Sequence, residues 1–401
     1  MGYGELPIAV IPHPFGVLSR EQVRVLADTC ADEIAKLVCT SPSATSSSAS
    51  VPATLAAEVE VSDDADAVNR LFRERRWSDG LPVVPPTRER VARMLKSAAA
   101  TPDTVIASIA PGMGAATVEL IAVNAVMAGC DPDYLPVLIA AVQAVTASAF
   151  NLQAIQSTTN PAAVWLIVSG PAAQRLAMNG GNNCLGQGNW ANATLGRALR
   201  LILQNIGRAL PGEMDLATQG QPGKFTFCCA ENEAQSPWEP LHVEHGYSLQ
   251  QSAVTVVGAE GTLNLNTHTK DADQLLRVFA ESLPRPPSND YRIGKGAPWL
   301  IIAPEHAAVL AAAGLTKMEV KRRLWEMSRM PAGRMADVDM RHMQQIRRPE
   351  LGDIAADTQL TICRSPASLG IIVAGGPGTH SVYLPSFGDT VASTQEIFFA
   401  V

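Results

Sequence analysis

Charge is scarce in this 401-residue chain: 17% of its residues are Asp, Glu, Lys or Arg, and 5% are aromatic. With 47% hydrophobic residues beside so few charges, a disordered chain is excluded and a substantial core is expected. Basic excess is also lacking. The 31 Lys and Arg are outnumbered by 38 Asp and Glu, for a net charge of −7, so no nucleic-acid-binding face is expected. Long hydrophobic runs are missing too. The longest, Leu135 to Phe150, contains Gln143 and Thr146 and is too short to span a bilayer. No positively charged leader precedes an apolar run, so the reading is a soluble cytoplasmic protein away from membranes. The seven cysteines are odd in number and widely spread, which excludes a disulfide framework.

What is present divides the chain. Ile8–Ile11 reads as a short buried strand, Pro12–Gly16 as a turn, and Ser19 with Gln22 as a capping box. Val23, Leu26, Cys30, Ile34 and Leu37 then recur at three and four residues, one apolar helix face. A strand and one helix make no core alone, so residues 1–40 would dock on the body or on another chain. Residues 41–61, rich in Ser, Ala, Thr and Pro, read as a flexible linker. The body, 62–401, is expected to be α/β, a layered mixed sheet with helices, with two possible lobes at 62–250 and 251–401. Strands are expected at 163–168, 253–257, 299–303, 360–363 and 371–374. Helices are expected at 272–282, 305–313 and 317–328, an interleaving typical of layered folds. Asn192 reads as the N-cap of a helix whose buried stripe is Leu195, Leu199, Ile202 and Ile206. Lys317 to Arg323 reads as a solvated basic face.

Three segments carry candidate chemistry. The first runs from Lys224 through Cys228-Cys229-Ala-Glu-Asn-Glu233 to His242-Val-Glu-His245. Neighbouring side chains of an extended segment point to opposite sides, so only one of Cys228 and Cys229 can face a cleft. A nearby base activates a thiol; His242 and His245 are the closest, and Glu231, Glu233 or Glu244 would orient an imidazole. Two buried structural cysteines are the competing reading. Cys228, His242 and His245 would also make a three-ligand zinc site. That is the alternative to no cofactor, although the chain has neither His-Glu-x-x-His nor Cys-x-x-Cys.

The second segment is Met178–Asn192, a Gly/Asn loop before a helix. Its glycines permit close backbone approach, and Asn182, Asn183, Asn189 and Asn192 supply neutral donors for an anion. It is neither a phosphate-binding P-loop nor a dinucleotide fingerprint, and an ordered surface loop is the plain alternative. The third is Ile371–His380, a buried strand running into Gly375-Gly376-Pro-Gly and ending at His380, where α/β sheets collect ligands. A turn with a solvent histidine competes. Asn232 joins the substrate-binding candidates. Gln156–Asn160 and Trp77–Gly80 are lesser pocket-lining signals. Any chemistry requires the stretches near 184, 228–245 and 375–380 to share one cavity with a reachable sulfur.

Ile8-Ala-Val-Ile-Pro-His-Pro-Phe-Gly16, with Leu18 and Ala27-Asp28, resembles the C-terminal end of UGSC-family (seleno)proteins. The likeness covers about the first 40 residues. That family's Cys/Sec-Gly-Ser-Cys motif is absent here, so the resemblance implies that any such thiol or selenol comes from a partner subunit. Trp77–Pro86, Ala230–Glu233, Ser236-Pro-Trp238 and Gly375–Gly378 resemble the large bacterial proteins associated with or fused to UGSC domains. Residues and resemblance together imply an oligomeric thiol-dependent enzyme subunit acting with a UGSC-like partner. It would cleave a carbon–heteroatom bond of a small polar or anionic substrate, as a lyase or reductively. A metal-dependent hydrolase or lyase and a non-catalytic scaffold for a redox partner are the other classes.

Overall fold

Alternation along the strands decides the architecture of the body. The computed structural model describes residues 9, 11, 18–39, 57–286 and 288–399, in two compact units, Met1–Pro52 and Ala53–Val401. Two four-stranded mixed sheets form the second unit. The first sheet has the order β12 (Ser393–Glu396), β5 (Ala253–Ala259), β3 (Ala163–Ser169), β4 (Cys228–Ala230). The second has the order β10 (Gly370–Val373), β7 (Trp299–Ile302), β11 (His380–Leu384), β6 (Leu263–Asn266). Each sheet contains one parallel pair, β3 with β4 and β7 with β10; the other neighbours are antiparallel. Two small antiparallel pairs lie outside these sheets, the hairpin of β1 (Val105–Ile109) with β2 (Gly114–Thr117) and the pair of β8 (Met330–Pro331) with β9 (Gln359–Leu360), which are separated by a helix.

Side chains of successive residues leave opposite faces of a strand, and here they enter different cores. Trp165 and Ile167 of β3 meet Trp299 and Ile301 of β7, Ile372 of β10 and Leu384 of β11 in a core between the sheets. Trp165 stacks on Phe227 at 5.7 Å and meets Trp299 edge-on at 5.8 Å. The alternate residues Leu166, Val168, Val254 and Val256 face the helices Val118–Ala128, Leu135–Val145 and Trp190–Asn205. Leu300, Ile302, Ile371, Val373 and Tyr383 face the helices Ala272–Ser282, Pro304–Ala312 and Lys317–Met327. The body is therefore a four-layer α/β/β/α stack with three cores. Each fully buried Leu, Ile or Phe in these layers contributes roughly 1.5–3 kcal/mol relative to exposure.

The layering explains why the Val118–Ala128 helix is apolar nearly all round: it packs against the 88–95, 135–145 and 190–205 helices. Its buried Asn124 is satisfied, accepting from Asn205 at 2.8 Å and donating to the Leu120 carbonyl at 2.9 Å. Among the described residues no single helix is long and apolar enough to cross a membrane.

Several local expectations change. The N-cap of the 190–205 helix is Asn189, whose Oδ1 accepts the Asn192 amide at 2.9 Å. Asn192 sits one turn inside, because the loop uses both ends of its side chain. The basic run 317–323 is not wholly solvated: Lys317 and Lys321 are buried beside Glu244, while Arg322 stays exposed. The strand expected at 360–363 shortens to the two-residue β9, with Ile362 and Cys363 buried beyond it. In the first unit, Ser19 and Gln22 do form the capping box of the Arg20–Cys39 helix, at 2.8 and 3.2 Å. The expected strand 8–11 and turn 12–16 lie outside the described residues, as does most of the linker. Residues 57–61 are exposed, and Glu58 pairs with Arg88.

Candidate active site

The carboxyl ends of the parallel pairs meet. β4 leaves the first sheet at Ala230, β10 leaves the second at Val373, and the Asn232 amide donates to the Val373 carbonyl at 2.8 Å. The 179–192 loop fills the space between them. The Ala230 amide donates to the Asn179 carbonyl at 3.1 Å, and the Gly375 amide to the Gly180 carbonyl at 2.8 Å. Gly180 is required by this approach: a Cβ there would lie 2.8 Å from the carbonyl oxygens of both Ala230 and Glu231. Gly376 is pressed in the same way against the Asn182 side chain. The three segments singled out in the sequence thus converge on one place.

The sulfur at that place is Cys184. Its thiol sits in the inter-sheet core beside Cys229. Cys229 is its sulfur neighbour, and the backbone of Gly375, Cys184 and Leu185 lies beside it, the Gly375 and Cys184 amides themselves donating to the Gly180 and Gly181 carbonyls. The hydrogen bond from Cys229, helped by those peptide groups, holds the Cys184 thiol below the usual cysteine range although burial opposes them. Donating that bond, together with burial, pushes Cys229 well above the range. Cys184 retains 6% exposure and Cys229 none, so the more acidic sulfur is also the one nearer solvent. Cys228 turns the other way, into the helix-facing core, where burial raises its thiol.

Comparison with protein-family models, with curated proteins and with solved structures gives no match to this chain. Its chemistry is therefore read from geometry.

Most asparagines of the loop are committed to holding it. Asn192, 3% exposed, accepts the Asn179 amide at 3.0 Å and donates to the carbonyls of Asn179 and Cys184 at 2.8 and 3.0 Å. Asn189 caps the helix and donates to the Ala177 carbonyl. Asn183, in the left-handed region at φ 58°, donates to the Gln187 carbonyl. Asn182 is exposed against Gly376. Asn232 bridges Gln235 and the Gly375 carbonyl.

Beyond β4 lies a buried titratable cluster. Glu231 accepts the Leu241 amide on Oε2 at 2.7 Å, while its buried Oε1 has no hydrogen-bond partner among the described residues. Burial pushes its pKa up to about 7, against the pull of Lys317. His242, on the short Leu241–Glu244 helix, is fully buried with Nδ1 3.7 Å from Glu233 Oε1, and among the described residues neither ring nitrogen has a hydrogen-bond partner. Burial pushes its pKa down. His245 is exposed and its Nδ1 lies 2.6 Å from Thr394 Oγ1. Glu244 joins Lys317 and Lys321. Cys228 faces a different layer from Cys229 and its neighbours, and among the described residues no three His, Cys, Asp or Glu side chains group as metal ligands.

His380 opens the interior strand β11 as an exposed residue, its Nδ1 3.1 Å from Asn264 Oδ1. Its neighbour Ser381 is instead buried against His306, with Oγ 2.7 Å from Nδ1; each is 1% exposed, a sealed structural pair. The lesser signals line clefts elsewhere. Gln156 borders one of about 20 Å³ with Arg200 and Lys224, and Ser78–Gly80 border another of about 230 Å³ with Arg73 and Gln204.

In the sequence the adjacent pair Cys228-Cys229, with two histidines close behind, is the more conspicuous sulfur signal, and Cys184 has neither a second cysteine nor a base beside it. The available signal was a cysteine embedded between Gly180-Gly181 and Gly186, where backbone amides can crowd a sulfur.

Proposed function

We propose that the chain is a thiol-dependent enzyme subunit with Cys184 as its nucleophile. The carrying observation is the convergence of the 179–184 loop with the ends of β4 and β10, which sets the Cys184 sulfur beside Cys229 and the neutral peptide groups of Gly375, Cys184 and Leu185. Such neutral dipoles stabilise a sulfur anion, and the thiolate is the attacking form. A small polar or anionic substrate would meet the same peptide groups, and the sulfur would displace a heteroatom from carbon. The resemblance of the first 40 residues to a UGSC-family C-terminus supports a UGSC-like thiol or selenol subunit as the companion. Glu231, with a pKa near neutrality, supplies a candidate proton donor along the same strand end. The test is competitive alkylation with iodoacetamide near neutral pH, followed by peptide mapping. Cys184 should label first and fastest. Labelling of Cys228 or Cys229 ahead of Cys184 would overturn the assignment.

A further inference from the structure

We propose that Cys184 and Cys229 act as a dithiol pair, Cys184 attacking and Cys229 resolving, and that the substrate class they serve is a disulfide. This adds a second reaction, at sulfur rather than at carbon, to the preceding reading and rests on Cys184 being the nucleophile. The two sulfurs lie together in one core layer although they are 45 positions apart in the chain, because the 179–184 loop is fastened to the end of β4 through Asn179 with Ala230 and through the close approach of Gly180. Their inequality fits the two roles. Cys184 belongs to a surface-connected loop and keeps 6% exposure, whereas Cys229 lies on a strand with none. A sealed thiol cannot be reached by a disulfide from outside. It can reach only a Cys184 sulfur that has already become electrophilic.

The chemistry balances as thiol–disulfide exchange. The Cys184 thiolate attacks one sulfur of RS–SR, forming a Cys184–SR mixed disulfide and releasing RS⁻, which takes up the proton that Cys184 gave up on ionisation. Cys229 then loses its proton to the second departing RS⁻ as its sulfur attacks Cys184. An internal Cys184–Cys229 disulfide forms and a second RSH leaves. Two thiols are oxidised, one disulfide is reduced, and no other electron carrier is required.

The experiment uses the full chain and 5,5′-dithiobis(2-nitrobenzoate), which reports each released thiolate by absorbance. The wild-type protein should release two equivalents in a rapid phase and end with no added mass, lighter by two hydrogens, with Cys184 and Cys229 linked in a non-reduced peptide map. Cys229→Ser should release one equivalent in that phase and keep the mixed disulfide on Cys184. Cys229→Ala serves the same purpose if the serine disturbs the inter-sheet core, with near-ultraviolet circular dichroism checking the fold. A wild-type protein that retains a stable adduct on Cys184, or that links Cys184 to another cysteine, overturns the pairing while leaving the nucleophile intact. Failure of Cys184 to react at all overturns both.

Discussion

Replacing Glu231 with Gln should change how stability depends on pH, and the structure sets the size of the effect. Glu231 is 5% exposed, one carboxylate oxygen accepts the Leu241 amide and the other is buried without a partner among the described residues. Burial is the dominant cause of its raised pKa. Glu233 and Glu244 add to it, and Lys317 and the Leu241 amide oppose it without cancelling it. The folded protein therefore binds this proton more tightly than the unfolded chain, by a rise from 4.5 to about 7. Because the folded-state value is the higher one, the stabilisation is fully present below pH 4.5 and is lost as pH rises through about 7. The rise is worth roughly 3 kcal/mol.

Gln cannot titrate, so the comparison of wild type with Glu231→Gln isolates this proton. Whatever constant offset the amide introduces, the wild-type melting temperature should fall relative to the variant's by about 4 °C between roughly pH 4.5 and pH 8, given the unfolding entropy of a body this size. Differential scanning calorimetry at intervals across that range gives the two curves. Parallel curves would refute the reasoning, since they would mean that Glu231 is as readily ionised in the fold as outside it.

Two further changes probe the framework of the site. Asn192→Ala removes the clamp that joins Asn179 to the Cys184 carbonyl; the unmet buried groups should cost about 3 kcal/mol, and mapped iodoacetamide labelling of Cys184 should slow as the peptide groups beside it move away. Glu244→Gln strands Lys317 and Lys321, 5% and 2% exposed, without their shared carboxylate, leaving Lys317 its bond to the Glu239 carbonyl at 2.7 Å; a loss of about 3–5 kcal/mol in urea unfolding is expected, whereas an unchanged midpoint would show that neither lysine depends on the carboxylate.

Layering was legible because it is written in short-range patterns. Trp165 and Ile167 alternate with Leu166 and Val168 within a single strand, and the 272–282 helix has its bounds in its own apolar spacing. The presence of two sheets was not legible, since nothing local says that β3 pairs with β5 while β7 pairs with β10. At the site, the convergence of three segments followed from each ending a strand or opening a helix. The identity of the sulfur did not follow. Which of Cys184, Cys228 and Cys229 carries the acidic proton depends on the Gly375 amide, 191 positions beyond Cys184, and on a loop whose asparagines turn inward. The buried Lys317 and Lys321 escaped for the same reason: their carboxylate, Glu244, lies on another element.

The manner in which Cys184 is made acidic has a consequence for the chemistry. The groups that lower it are one thiol and three peptide groups, all neutral, and none is an Arg, Lys or His. A thiolate held by a charged neighbour loses part of that help when salt screens the pair, since the Debye length shrinks from about 10 Å at 0.1 M to about 3 Å at 1 M. Dipoles in direct contact with the sulfur act inside that distance and are barely screened. The pH at which alkylation of Cys184 reaches half its maximal rate should therefore stay nearly constant across that salt range. A rise of about one pH unit would show instead that a mobile cation, unseen in this geometry, approaches the sulfur, and the neutral groups would then no longer account for its reactivity.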